Sequence, residues 1–104
     1  AFKYQNQPTH ISTSGHFASR CLDVITTSGD GTGIQADVDK IKRIWNWVGN
    51  GKRLAIASGI NSENISLYPK YIDDFLVSTG ISDDFFNLNV EKTKELHALI
   101  AQMD

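Results

Sequence analysis

The stretch Arg53-Leu-Ala-Ile-Ala-Ser-Gly-Ile-Asn-Ser-Glu-Asn-Ile65 decides the fold prediction. Small and apolar residues run from Leu54 to Ser58, a glycine follows at position 59, and polar residues come next. This order is typical of a buried parallel strand that passes into a helix, because such strands are covered on both faces and read as apolar runs. In α/β folds, ligands bind at the carboxyl ends of these strands. The stretch therefore predicts a buried parallel strand and a ligand site at the carboxyl end of that strand.

The same pattern recurs at Thr27-Ser28-Gly29 and at Ser78-Thr79-Gly80, which end predicted strands over residues 22–28 and 73–78. Residues 1–5 alternate apolar and polar side chains, which predicts one more strand. Helices are expected over residues 16–20, 37–48 and 62–68, and after residue 89. The fold class that follows is α/β, with four parallel β-strand–α-helix modules, half of a (β/α)8 barrel of ~250 residues. Residues 1–104 would form one domain, a C-terminal half-barrel fragment.

Two of the helices carry clear start signals. Asp37 and Asn89 are good N-cap residues, since their side-chain oxygens can accept the free amides of a first turn. Each cap is followed by an apolar stripe at helical spacing. The stripes are Val38, Ile41, Ile44, Trp45 and Val48 in one helix, and Val90, Leu96, Leu99, Ile100 and Met103 in the other.

Composition argues against several classes of partner. The formal net charge is -2 and the basic residues are not clustered, so no nucleic acid or membrane surface is expected as a partner. No apolar run approaches the ~18 residues that a membrane span needs. Cys21 is the single cysteine, which favours a reducing, cytoplasmic location.

The strand-end glycines predict a phosphate site. A glycine after a strand lets an anion approach backbone N–H groups, and in (β/α)8 barrels the loops after the last two strands commonly bind phosphate. The residues predicted to bind phosphate are Ser58, Gly59, Ile60, Asn61, Thr79, Gly80 and Ile81. The alternative is that small residues simply fit tight turns between strands and helices.

Other polar side chains are candidates for chemistry. Lys3 on a strand that faces a barrel interior could hold an anion or act as a base or Schiff-base amine. Asp30, after the second predicted strand, could serve as a general base. Substrate-binding hydroxyls are expected from Thr27, Ser28 and Thr32, although hydroxyls and Asp are equally the residues of an ordinary turn. The three histidines show no metal-ligand spacing, and neither a metal nor a cofactor is predicted.

Three segments together resemble the last modules of the BtpA-type barrels. They are Thr27-Ser28-Gly29-Asp30-Gly31-Thr32-Gly33, then residues 57–65 (Ala-Ser-Gly-Ile-Asn-Ser-Glu-Asn-Ile), then residues 75–81 (Phe-Leu-Val-Ser-Thr-Gly-Ile). The resemblance implies a barrel fold and a phosphorylated or nucleotide-like small ligand. The last segment continues Thr-Gly-Ile-Ser where such barrels show Gly-Thr followed by Ser and Lys, so no role for that lysine is carried over.

These observations lead to one expected function and two alternatives. The expected function is that of an enzyme portion that acts on or binds a small phosphorylated metabolite through the loops after its last two strands. A non-catalytic assembly or regulatory protein of the BtpA type is one alternative, and a half-barrel binding module that dimerises is the other. The expected partners are the phosphorylated ligand and either the remainder of the barrel or a second copy of the chain.

Overall fold

Three helices and a three-stranded parallel sheet make up the described part of the chain. A computed structural model describes residues 10–31, 33–48, 51–68 and 70–103. The elements, in chain order, are α1 (Ile11–Cys21), β1 (Val24–Ser28), α2 (Val38–Val48), β2 (Arg53–Ala57), β3 (Asp74–Leu76) and α3 (Val90–Ala101). The strand order in the sheet is β1-β2-β3, so each strand pairs with the next one along the chain.

The prediction of four strand–helix modules, half of a barrel, is wrong. The described residues form a small α/β unit with three strands, and the strand predicted over residues 1–5 lies outside them. The connection between β2 and β3 contains only a 3₁₀ helix, Ile65–Leu67, instead of an α-helix. The sequence gives the reason: a turn held by asparagine side chains occupies residues 61–64, and the proline at position 69 prevents a helix from continuing. Too few residues remain between them to nucleate an α-helix.

The hydrophobic core lies between one face of the sheet and the helices. Ile25 of β1 and Leu54 and Ile56 of β2 point to this face, and they are almost completely buried. The α2 residues Ile41, Ile44 and Val48 belong to the same core cluster, which confirms the predicted stripe at those three positions. The alternation along β1 and β2 thus directs one set of side chains toward α2 and the other set away from it.

Helix α1 is longer than the sequence predicts. It begins at Ile11, whereas the pattern indicated a helix over residues 16–20 only. The sequence pattern assigns Gly15 to a loop, whereas this residue is buried inside α1, where the helix packs against Trp47 of α2. Packing between the two helices therefore overrides the preference of glycine for loops.

The predicted caps are both present. The amide of Asp39 donates to Asp37 Oδ1 at 3.0 Å, and the amide of Lys92 donates to Asn89 Oδ1 at 2.9 Å. The stripe of α3 is confirmed only in part, since Leu96 is buried but Val90 is exposed. None of the helices in the described ranges has the length and apolar character needed to cross a membrane.

Tyr68 fixes the β2–β3 connection against the segment that precedes α2. Its side chain is completely buried, and its hydroxyl donates to the carbonyl oxygen of Ala36 at 2.5 Å. Burial, which disfavours the charged phenolate, raises the pKa of Tyr68 above the ordinary value of 10.0. The nearby Asp37 carboxylate raises this pKa further, while a hydrogen bond with Gln35 opposes the shift.

We expect alkaline pH to destabilise the protein through Tyr68. The folded-state pKa is raised, so the stability linked to this group is fully present below the unfolded pKa of about 10 and is lost as the pH rises through the folded pKa. Urea unfolding between neutral and strongly alkaline pH measures the effect. In Tyr68→Phe the alkaline decline should be smaller, and the variant should lose about 1–2 kcal/mol at neutral pH with the hydrogen bond. An unchanged alkaline decline in Tyr68→Phe would contradict the assignment.

Candidate functional site

The three loops that follow the strands meet at the carboxyl edge of the sheet. Gly59, after β2, packs against the backbone of Ile34 and Gln35 in the loop after β1. Gly80, after β3, packs against the backbone of Ile60 and Asn61 in the loop after β2. The loops after β1 and β3 also come together, since a Cβ built on Gly33 would lie 3.8 Å from Thr79 Oγ1. The sequence-predicted segments are therefore neighbours in space.

The glycines at this edge are required by backbone packing. A Cβ built on Gly59 would overlap the carbonyl oxygen of Ile34, and one built on Gly80 would overlap the carbonyl oxygen of Ile60. Gly29 is constrained in the same way by Ile34. This close approach of loops accounts for the Gly positions without a ligand, so the glycines alone do not distinguish tight turns from an anion site.

Ser58, at the carboxyl edge of the sheet, has an unusual backbone conformation. Its φ is +76°, and it is the only non-glycine residue with positive φ in the described ranges. A side chain in the left-handed region costs about 1–2 kcal/mol, and such residues cluster at functional sites. The Ser58 hydroxyl, which is partly buried, makes no hydrogen bond with another described residue. It is thus available to a ligand.

Two asparagines hold the loop after β2. Asn64 is buried, its Nδ2 donates to the Gly59 carbonyl oxygen at 2.6 Å, and its Oδ1 accepts from the Asn61 amide at 3.0 Å. The Oδ1 of Asn61 in turn accepts from the amides of Glu63 and Asn64, at 2.9 and 3.1 Å. The backbone N–H of Asn61, predicted to bind phosphate, is therefore already paired inside the protein.

The loop after β3 offers free amides. Residues Thr79–Ile81 form a 3₁₀ helix in which Ile81 N donates to Ser78 O, at 3.1 Å. The amides of Thr79 and Gly80 have no hydrogen-bond acceptor among the described residues. Thr79 is exposed and Gly80 is half-buried, so both lie within reach of a solute. These two N–H groups and the Ser58 hydroxyl are donors of the predicted phosphate set that are not fully buried and that have no acceptor among the described residues.

A groove of about 320 Å³ lies at the same edge, beside these loops. Its lining is Gly29, Asp30, Gln35, Ala36, Asp37, Val38, Asp39 and Lys40. The Nζ of Lys40 donates to the carbonyl oxygen of Ser28 at 3.0 Å, which brings the ammonium group to the end of β1. The sequence pattern alone assigns no role to Lys40. The position of Lys40 in the first turn after the Asp37 cap could have indicated that it reaches back to the strand end.

The charge of the groove does not suit a phosphate. Asp30, Asp37 and Asp39 supply three carboxylates against one ammonium group from Lys40, and like charges repel an anion. The predicted base Asp30 lines this groove. The predicted substrate-binding residue Ser28 lies next to the groove, because its carbonyl oxygen accepts a hydrogen bond from Lys40. The residues predicted to bind phosphate do not line the groove. Thr27 is half-buried in β1 on the core side.

Two predicted site residues cannot be placed. Lys3, the other catalytic candidate, and Thr32, a substrate-binding candidate, lie outside the described residues. Among the residues that the structure does describe, no three His, Cys, Asp or Glu side chains are grouped to hold a metal ion.

The carboxylates of Asp83 and Asp84 stabilise the loop before α3 through local hydrogen bonds. Asp84 Oδ1 accepts from the amides of Phe86 and Asn87 at 2.9 and 3.0 Å. Hydrogen bonds from Asn89 and Lys92 lower the pKa of Asp83, and those from Asn87 and the Phe86 amide lower the pKa of Asp84. Both carboxylates are stabilised in the charged form by this local network.

Comparison of the chain with protein-family models, with curated proteins and with solved structures gives no match.

Proposed function

We propose that the protein binds a small phosphorylated metabolite at the carboxyl edge of its sheet, between the loops after β2 and β3. The observation that carries the proposal is Ser58, whose strained backbone holds, where these loops meet, a hydroxyl that has no partner among the described residues. The free amides of Thr79 and Gly80 add two donors on the neighbouring loop. Backbone amides and hydroxyls are the groups that commonly hold phosphate oxygens in proteins.

The residues of the two loops favour ligand binding without catalysis. The segments 58–61 and 79–81 read Ser-Gly-Ile-Asn and Thr-Gly-Ile, and neither contains a titratable side chain for proton transfer. The resemblance to BtpA-type proteins supports the same ligand class and the non-catalytic alternative. Cys21, a free and exposed thiol, is consistent with work in a reducing cytoplasm.

Amide chemical shifts during titration test the proposal. Inorganic phosphate, a sugar phosphate and a nucleoside monophosphate are added separately to ¹⁵N-labelled protein, with the unphosphorylated sugar as control. The amide signals of Gly59, Thr79 and Gly80 should shift with all three phosphorylated probes. Because the segments 58–61 and 79–81 contain no lysine or arginine, we expect weak binding that phosphate alone can compete for. Shifts confined to the Asp30–Lys40 groove, or no shifts, would refute the proposal.

The substitution Ser58→Gly removes the hydroxyl and keeps the backbone conformation, so it tests the contribution of the hydroxyl alone. Glycine adopts positive φ freely, so the variant should fold with unchanged or up to about 1 kcal/mol higher stability. Loss of one hydrogen bond to a charged group should weaken phosphate binding about tenfold. Ser14→Gly, at an exposed position of α1, is the matched control: it should cost about 1 kcal/mol of stability and leave binding unchanged. Wild-type affinity in Ser58→Gly would remove Ser58 from the site.

A further inference from the structure

Gln35 lies in the loop after β1, but its side chain reaches the loop after β2. Its Oε1 accepts a hydrogen bond at 3.4 Å from Nδ2 of the buried Asn64. The backbone of Gln35 also packs against the loop after β2, because a Cβ built on Gly59 would lie 2.5 Å from Gln35 N. Gln35 therefore contacts this loop at two places, with its backbone and with its side chain.

The contact with Gln35 completes the hydrogen bonding of the Asn64 side chain. The Nδ2 group carries two N–H donors, and its two acceptors are the Gly59 carbonyl oxygen at 2.6 Å and Gln35 Oε1. The Oδ1 atom accepts from the Asn61 amide at 3.0 Å. Since Asn64 is 7 % exposed, an N–H that lost its acceptor would have little access to water. An acceptor from the loop after β1 is therefore part of what holds Asn64 in place.

The segment that carries Gln35 is itself held in a defined position. The next residue, Ala36, is completely buried, and its carbonyl oxygen accepts from the Tyr68 hydroxyl. Asp37 then caps α2 through its hydrogen bond with the Asp39 amide. Because both contacts follow Gln35 directly, its side chain starts from a backbone that is fixed relative to the β2–β3 connection.

We propose that Gln35 is a positioning residue of the phosphate site that acts through Asn64. Gln35 orients the Asn64 amide, and Asn64 holds the backbone at Gly59. This backbone continues directly from Ser58, whose φ is +76°. The inference rests on the proposed function, because it assigns to Gln35 a role in that same site. It makes the loop after β1 a contributor to the site, beside the loops after β2 and β3.

Gln35→Ala tests this role by removing the acceptor and keeping the backbone contact. In the amide titration of the full chain with inorganic phosphate, the affinity of Gln35→Ala should be about threefold lower than that of the wild type. One neutral hydrogen bond corresponds to about two- to tenfold in affinity, and a length of 3.4 Å, beyond the usual range, places this bond toward the lower end. The Nδ2 proton signals of Asn64 should also shift in the ligand-free variant, because they lose an acceptor.

Two further variants serve as controls. Gln35→Met keeps the length of the side chain without its amide, and it should lose as much affinity as Gln35→Ala. Gln102→Ala removes an exposed glutamine at the end of α3 and should leave the affinity unchanged. Wild-type affinity in Gln35→Met would show that the volume of the side chain matters and the hydrogen bond does not, which would overturn the proposal.

A double-mutant cycle tests whether Gln35 acts through Asn64. Gln35→Ala should lower the urea midpoint of the wild type, but it should have little effect in an Asn64→Ala background, where the donor is already absent. Equal decreases of the midpoint in the two backgrounds would overturn the proposed contact.

The titration also separates this inference from the proposed function. A wild-type protein that binds no phosphate would overturn both. Phosphate binding by the wild type, together with an equal affinity in Gln35→Ala, would overturn the role of Gln35 alone.

Discussion

Gly59→Ala is expected to lower the free energy of unfolding by about 2–5 kcal/mol. Two effects add: about 1–2 kcal/mol for a side chain at positive φ, and about 1–3 kcal/mol for inserting a methyl group into a filled space. The φ of Gly59 is +71°, and its Cβ direction is occupied by the backbone of Ile34 and Gln35. Because small domains have about 5–15 kcal/mol of stability in total, the loss should be visible in urea unfolding at neutral pH.

Gly51→Ala is the control for this prediction. Gly51 has φ of +90°, but a Cβ there would meet no atom within 4 Å. Its substitution should therefore cost only the conformational part, about 1–2 kcal/mol. If both variants lose the same stability, the contact between the loops after β1 and β2 contributes nothing, and the close packing at the edge of the sheet is not what selects Gly59.

Asn64→Ala should destabilise the protein by about 2–4 kcal/mol and should also abolish phosphate binding. Removing the buried amide leaves the Gly59 carbonyl and the Asn61 N–H without partners, and each unsatisfied buried group costs about 1–3 kcal/mol. The binding loss follows because these bonds hold the loop that carries Ser58. Urea unfolding measures the first effect, and the phosphate titration at a temperature where the variant is folded measures the second.

Asn46→Ala provides the comparison for Asn64. Asn46 is exposed on α2, where a substitution normally changes stability by less than about 0.5 kcal/mol. A folded Asn64→Ala variant that binds phosphate as well as the wild type would show that the asparagine turn supports the fold and has no part in the site.

Local signals in the sequence predicted the elements that depend on local chemistry. Asp37 and Asn89 cap the helices that follow them, and the glycines at positions 59 and 80 mark the ends of their strands. Parallel pairing followed from the same pattern, since connections of this length cannot be hairpins. The meeting of the strand-end loops at one edge was therefore predictable.

What the sequence could not predict depends on contacts between distant residues. Gly15 is typical of a loop when the sequence is considered locally, but in the structure it lies inside α1 and packs against Trp47. The predicted helix was therefore shorter than α1. The side chain of Lys40 reaches the Ser28 carbonyl only because α2 returns to the end of β1. The barrel prediction failed because it counted the strand ends as complete modules, whereas the asparagine turn at residues 61–64 leaves no room for an α-helix.

The strand order, which follows the chain order, has a consequence for how the protein folds. Since β1 pairs with β2 and β2 with β3, each pairing closes only the segment that has just been completed. Contacts of such modest sequence separation favour rapid folding. During synthesis, β1, α2 and β2 leave the ribosome early, and their shared core is completed when Ile65, Tyr68 and Leu96 pack onto it. The strand β3 then adds to an edge that already exists.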